Sequence, residues 1–199
     1  MNDAFFFGYG SLVNRATHRF DNAHRARITG WRRAWRGTPS RAVAFLTAVP
    51  DPGAQIDGLI AAVPGDSWAD LDLREQAYDR VAVSDLVAHP LPHRPDIAIY
   101  AIPDGAHHAP SKAHPILLSY VDVVMLGYFN EFGAEGLADF IATTDGWHAP
   151  VMDDRANPVY PRHQALQPQA RRMVDDALEQ AGAQRIAFAA DFLNGGSDA

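Results

Sequence analysis

The sequence predicts an α+β domain, a small mixed β-barrel or strongly curved sheet with helices packed around it. Strand-like runs fill the first half of the chain and helical patterns the second. Clusters of Pro, Gly and Asp punctuate the strands. At 199 residues the chain suits one domain with a full core. That domain is placed at residues 1–193, with the small, polar residues 194–199 as a frayed tail.

The elements follow in order. Three consecutive Phe residues make residues 5–8 a buried strand. Further strands are read at 27–36, 42–49, 55–63, 80–86, 96–102 and 185–189. Turns are read at Pro50-Asp51-Pro52-Gly53, Pro64-Gly65-Asp66 and Pro103-Asp104-Gly105. Helical patterns cover 66–77, 114–132, 134–144 and 168–181. Trp31 and Trp35, four apart in a strand, belong to one sheet face and hence to the core. Tyr120, Val124 and Tyr128 share one helical stripe and read as packing.

Composition excludes several classes. Without cysteine there is no disulfide, thiol nucleophile or thiolate metal site. A net charge of −7 argues against general nucleic-acid binding. No apolar stretch approaches membrane-spanning length and no signal peptide is visible, so a cytoplasmic location and no membrane partner are expected. Charge is nevertheless uneven. Eight arginines and one acid, Asp21, lie between Arg15 and Arg41, either a solvated surface or an anion-attracting face. His107, His108 and His114 lack ligand spacing, and no metal or other cofactor is expected. Asp153 and Asp154 read as turn-capping or solvent-facing loop residues.

The chemistry concentrates at the end of the first strand. Gly8 and Gly10 permit close backbone approaches, so N–H groups around Tyr9, Gly10, Ser11 and Leu12 can converge on one small anion. Val13 stands where a dinucleotide loop needs its third Gly, and neither a phosphate-binding Gly-Lys-Ser/Thr nor a Gly-x-Ser-x-Gly elbow exists. A second signal is Glu75. At about 100° per residue it shares a helix face with Trp68 and Leu71, opposite Asp70, Arg74 and Ala77, on a helix capped by Asp66 or Ser67. A carboxylate in an apolar stripe is desolvated, its pKa rises, and it becomes suited to proton transfer. A structural pair with Arg80 or another arginine is the alternative.

Two separated stretches together resemble the γ-glutamylcyclotransferase-like family of ChaC type. One is Phe7-Gly8-Tyr9-Gly10-Ser11-Leu12. The other is Leu71-Asp72-Leu73-Arg74-Glu75-Gln76-Ala77-Tyr78-Asp79-Arg80-Val81. Ile97-Ala98-Ile99-Tyr100 and a helix start near Ser119-Tyr120 match more loosely, and residues after Gly146 match no recognised pattern. The resemblance implies that a γ-glutamyl peptide or amine, glutathione among them, is converted to 5-oxoproline and a free amine, without a cofactor. It implies Glu75 as general base and acid, the Tyr9–Leu12 backbone as holder of the γ-glutamyl group, and Tyr100 as a hydrogen-bonding neighbour. The implied partner is thus a small γ-glutamyl molecule. A non-catalytic module that binds a small carboxylate on the same fold is the alternative, and a hydrolase using the same pocket is a third.

Overall fold

The computed structural model describes residues 3–39, 41–63, 68–103, 105–111 and 113–188. The capping residues Asp66 and Ser67, the last residue of the 185–189 strand, and the 194–199 tail lie outside the described residues. So does the whole turn at Pro64-Gly65-Asp66.

The main sheet is built on β1 (Ala4–Gly8), β2 (His24–Thr38) and β3 (Arg41–Ala62). It is completed by β4 (Asp79–Ala82), β5 (Val87–Ala88), β6 (Asp96–Ala101) and β8 (Thr144–Asp145). Strand order is β4-β6-β1-β3-β2-β5, with β8 paired to β2. The sheet is mixed, since β1 runs parallel to β6 and antiparallel to β3. It curls into a half-barrel, as expected of the strongly curved sheet.

β1 is buried on both faces, which its run of apolar residues requires. Phe5 and Phe7 enter the main core, whereas Phe6 faces a second cluster with Leu12, Ala61, Leu71 and Tyr100. Trp31 and Trp35 are buried in the main core.

The Pro50–Gly53 turn is not a turn. β3 runs straight through it, and the register jumps from Thr29↔Gln55 to Trp31↔Pro50. Residues 51–54 therefore bulge opposite Gly30 alone. Proline has no N–H for the ladder, so Pro50 and Pro52 are accommodated at a bulge rather than in regular pairing. Gly30, at φ +78°, takes the left-handed turn this demands.

The expected 66–77 helix is only one and a half turns, α1 (Ala69–Arg74), and ends before Glu75. The 80–86 strand breaks after Ala82, where a 3-10 turn at Ser84–Leu86 intervenes. α2 (Leu118–Ala142) starts four residues later than the pattern suggested. It is interrupted at Gly133, where the sequence separated two helices. The residues before α2 form β7 (Ile116–Leu117), which joins β9 (Val151–Asp153) and β10 (Arg185–Ala187) in a small parallel sheet. α3 (Pro168–Gln180) packs on α2.

One arginine of the basic stretch is structural. Arg33 is 1% exposed. Its guanidinium donates to Thr143 Oγ1 (2.6 Å), Tyr128 Oη (2.6 Å), the Tyr9 carbonyl (3.3 Å) and the Asp57 carbonyl. It stacks over the rings of Tyr128 and Phe140. Arg15 pairs with Glu131, Arg27 with Asp57 and Arg32 with Asp145. These pairings consume the charge of much of the stretch between Arg15 and Arg41.

Arg33→Met should lower stability by on the order of 2–3 kcal/mol, because buried oxygens lose their donor. Thermal denaturation should then show a melting temperature lower by roughly 5–10 °C. An unchanged melting temperature would show that these bonds contribute nothing net.

Candidate active site

β1 delivers the chain into a 3-10 turn, Ser11–Val13. The Val13 and Asn14 N–H groups close on the carbonyls of Gly10 (3.0 Å) and Ser11 (3.1 Å). Such a turn leaves its first amides, here those of Ser11 and Leu12, without an internal partner. The turn is held from behind. The Tyr9 hydroxyl donates to the Tyr100 carbonyl (2.5 Å), and the Tyr9 carbonyl accepts from Arg33 and from Tyr128 Oη (2.9 Å). Burial pushes the Tyr9 hydroxyl pKa well up, so it stays protonated.

α1 lies against the second core cluster through buried Leu71 and half-buried Trp68. Glu75 is the first residue past its end, and its N–H still reaches the Leu71 carbonyl (2.9 Å). The carboxylate therefore follows the buried side of the helix, as its spacing from Leu71 predicted. Its partner is Arg74, not Arg80: Arg74 Nε donates to Glu75 Oε1 at 3.0 Å, whereas Arg80 pairs with Asp72. Arg74, placed by periodicity on the opposite face, is only 10% exposed, and Glu75 is 18% exposed. The early end of α1 allows both side chains to turn inward. Desolvation raises the Glu75 pKa, opposed by the charges of Arg74 and Arg162. Desolvation lowers that of Arg74, opposed by Glu75. Burial thus favours the neutral form of each partner, and the ion pair only partly offsets it.

Glu75 stands in the shared wall, or neck, of two adjoining spaces. The inner niche, about 40 Å³, is lined by the Tyr9–Leu12 turn and Tyr100. The outer chamber, about 360 Å³, is lined by Arg41, Arg74, Tyr160 and Arg162 among others. Ser11, Leu46, Glu75, Tyr78 and Tyr120 border both. The structure therefore brings together Tyr9, Gly10, Ser11, Leu12, Glu75 and Tyr100. The Tyr100 hydroxyl does not point at an empty niche, however, for it donates to Asp72, which also accepts from Arg80.

The outer wall comes from residues that matched no pattern. Val159, Tyr160, Pro161 and Arg162 close the chamber. Asp154, expected in solvent or capping a turn, is fully buried. It accepts from Ser119 N (2.8 Å), Ser119 Oγ (2.6 Å) and Val159 N (2.9 Å), and so pins this segment to the start of α2. The buried N-terminal amide of α2 supplies a ready donor for it. Tyr120, assigned to packing from its stripe, also faces the site. An aromatic and a cation in a Pro-bounded loop, Tyr160-Pro161-Arg162, was the available sequence signal for the outer wall. Of the eight arginines from Arg15 to Arg41, Arg41 lines the chamber.

Among the described residues no group of three or more His, Asp or Glu side chains is placed to hold a metal ion. No helix among them is long and apolar enough to cross a membrane.

The curled mixed sheet, with its small site at the end of the first strand, defines the γ-glutamyl cyclotransferase fold. A solved γ-glutamyl cyclotransferase aligns at a TM-score of 0.53 and 15% identity, over 86% of this chain and 98% of its own. An uncharacterized protein from Homo sapiens aligns at 0.53 and 15%, over 88% and 99%. YkqA from Bacillus subtilis aligns at 0.54 and 19%, over 69% of this chain and 52% of its own. At such identities the likeness speaks to fold. A search of curated proteins finds no match. The model of the ChaC-like proteins matches residues 4–181, and the chain belongs to that family.

The electrostatics lead to a direct expectation. An NMR titration of labelled glutamates should find the Glu75 carboxyl above the ordinary carboxylate range. Arg74→Gln removes the largest influence pulling it down, so the midpoint should move further up. A midpoint at the ordinary value, unmoved by Arg74→Gln, would mean that Glu75 is solvated.

Proposed function

We propose that this protein is a γ-glutamylcyclotransferase that releases 5-oxoproline and a free amine from a small γ-glutamyl substrate, with Glu75 as the proton carrier. The observation that carries this reading is the desolvated Glu75 carboxylate at the neck between niche and chamber. Membership of the ChaC-like family supports it.

The reaction needs little covalent chemistry from the protein. The substrate's α-amino nitrogen attacks its own γ-carbonyl carbon and closes a five-membered ring. In this reading the glutamyl head lies at the Tyr9–Leu12 turn and extends from the niche into the chamber, held in a near-attack geometry by backbone amides of the turn. Glu75 removes a proton from the attacking nitrogen. As the carbonyl re-forms and the old amide C–N bond breaks, Glu75 delivers that proton to the leaving nitrogen. A carboxylate with a raised pKa is basic enough for the first step and acidic enough for the second. The nucleophile belongs to the substrate, so a chain without cysteine is no handicap.

The leaving part of the substrate occupies the outer chamber, where Arg41 and Arg162 supply positive charge. That charge favours a γ-glutamyl peptide ending in a carboxylate, as glutathione does, over a neutral γ-glutamyl amine. An anion-binding module would gain nothing from a buried acid beside its ligand, and this favours turnover over binding alone.

The decisive experiment incubates the protein with a panel of γ-glutamyl compounds and measures 5-oxoproline. Free glutamate would indicate hydrolysis, and binding without product would indicate a module. Glu75→Gln should lower kcat by more than about 10²-fold while the circular dichroism spectrum is kept. Near-normal turnover in that variant would refute the assignment of Glu75.

Arg162→Ala should raise KM for glutathione by roughly tenfold, the loss of one charge-assisted contact. A neutral γ-glutamyl amine should show no change. Equal effects on both substrates would remove the outer-chamber argument.

A further inference from the structure

Tyr120 lies where the reaction would occur, and neither its helical stripe nor its packing accounts for its hydroxyl. Its ring is wedged edge-on between Trp35 (5.9 Å between centroids) and Tyr160 (4.9 Å). Its hydroxyl reaches over the Gly10 backbone. A Cβ at Gly10 would lie 2.7 Å from the Tyr120 oxygen, and the next neighbour, Leu46 Cδ2, is at 3.5 Å. The Ser11 backbone amide faces the same oxygen.

Four polar side chains border both niche and chamber, and three of them are already engaged. The Tyr78 hydroxyl donates to the Leu46 carbonyl (3.0 Å). The Ser11 hydroxyl accepts from Arg74 Nη2 (3.4 Å). Glu75 holds Arg74 Nε (3.0 Å). The Tyr120 hydroxyl proton has no acceptor among the described residues. Burial, and after it the neighbouring Tyr160, Tyr9 and Glu75, push its pKa well up, so the hydroxyl remains a donor through the working pH range.

The geometry points to the Tyr120 hydroxyl as the side-chain donor to the substrate's γ-carbonyl oxygen, a catalytic role beyond that of Glu75. This assignment rests on the cyclotransferase reading of the site. In the reaction, the new C–N bond forms at the γ-carbon and the carbonyl π pair moves onto oxygen. Tyr120 shares its proton with that oxygen by hydrogen bonding and does not transfer it. When the pair returns, the leaving C–N bond breaks and the amine departs with the proton carried by Glu75. The donor is therefore worth more in the tetrahedral state, where the oxygen bears charge, than in the ground state. Gly10 keeps this approach open, since any side chain there meets the hydroxyl first.

The test is a double-mutant cycle on the full chain, assayed as 5-oxoproline released from glutathione and from γ-glutamyl-alanine. Tyr120→Phe keeps the ring between Trp35 and Tyr160 and removes only the hydroxyl. We expect kcat to fall by about 10²-fold, the typical loss of one such donor. KM should change by less than about threefold, and the melting temperature should be unchanged. Gly10→Ala in the wild-type background should lower kcat comparably, by displacing the hydroxyl. In the Tyr120→Phe background the same methyl meets no oxygen, so its effect should be much smaller. Undiminished kcat in Tyr120→Phe overturns the assignment. So do a raised KM with unchanged kcat, and fully additive effects of the two substitutions. Failure of the wild-type protein to form 5-oxoproline is a different result: it overturns the reaction and takes this role with it.

Discussion

A single buried cation organises the molecule. Arg33 lies on β2 with its guanidinium bonded only to neutral oxygens from four other places in the chain: the end of β1, the middle of β3, the body of α2 and the residue that follows it. Its aromatic neighbours Tyr128 and Phe140 cover its faces. A charge withdrawn this far from water is tolerable only while its donors are satisfied. Each donor in turn fixes an element that would otherwise be free to shift. The consequence for chemistry is at Tyr9, whose carbonyl is gripped by Arg33 and Tyr128 together, so the 3-10 turn leaves the sheet in one direction.

The site is assembled from three elements that meet at that turn. The second core cluster brings α1 against the reverse face of β1, and the early end of α1 lets Glu75 and Arg74 fold inward. Asp154 fixes the segment that carries Tyr160 and Arg162. The polar groups of the neck are mostly tied to each other, a preorganised arrangement in which few dipoles need to move when charge develops. Away from the site, Arg155 bridges Asp122 and Asp175, and Arg185 bridges Asp175 and Asp153. Those networks brace α2, α3 and the small sheet.

The arrangement also explains why a carboxylate can be kept here. Glu75 is partly compensated by Arg74, so it stays in reach of ionisation, and partly desolvated, so its proton affinity is raised. A fully paired carboxylate would be a poor base, and an unpaired buried one would be protonated and costly. The intermediate state suits the role proposed for Glu75, in which one group both accepts and returns a proton.

The sequence alone determined what depends on neighbours along the chain. The three Phe residues of β1, the glycines beside Tyr9, the helix break at Gly133 and the spacing of Glu75 from Leu71 were all legible, because periodicity and backbone freedom are local properties. Local rules misread Pro50-Asp51-Pro52-Gly53: the ladder to β2 carried the strand through as a bulge. They misread Arg74 too, since the periodicity of a full-length helix puts it in solvent, while the true end of α1 is set by packing. Arg33 looked like one of eight surface arginines, Asp154 like a loop acid and Tyr120 like a packing residue. What these three do depends on partners 24 to 110 residues away for Arg33, 35 for Asp154, and on the approach of α2 to Gly10 for Tyr120. Only tertiary structure decides such contacts, because no local signal marks which residue of a distant segment will be opposite once the sheet has curled.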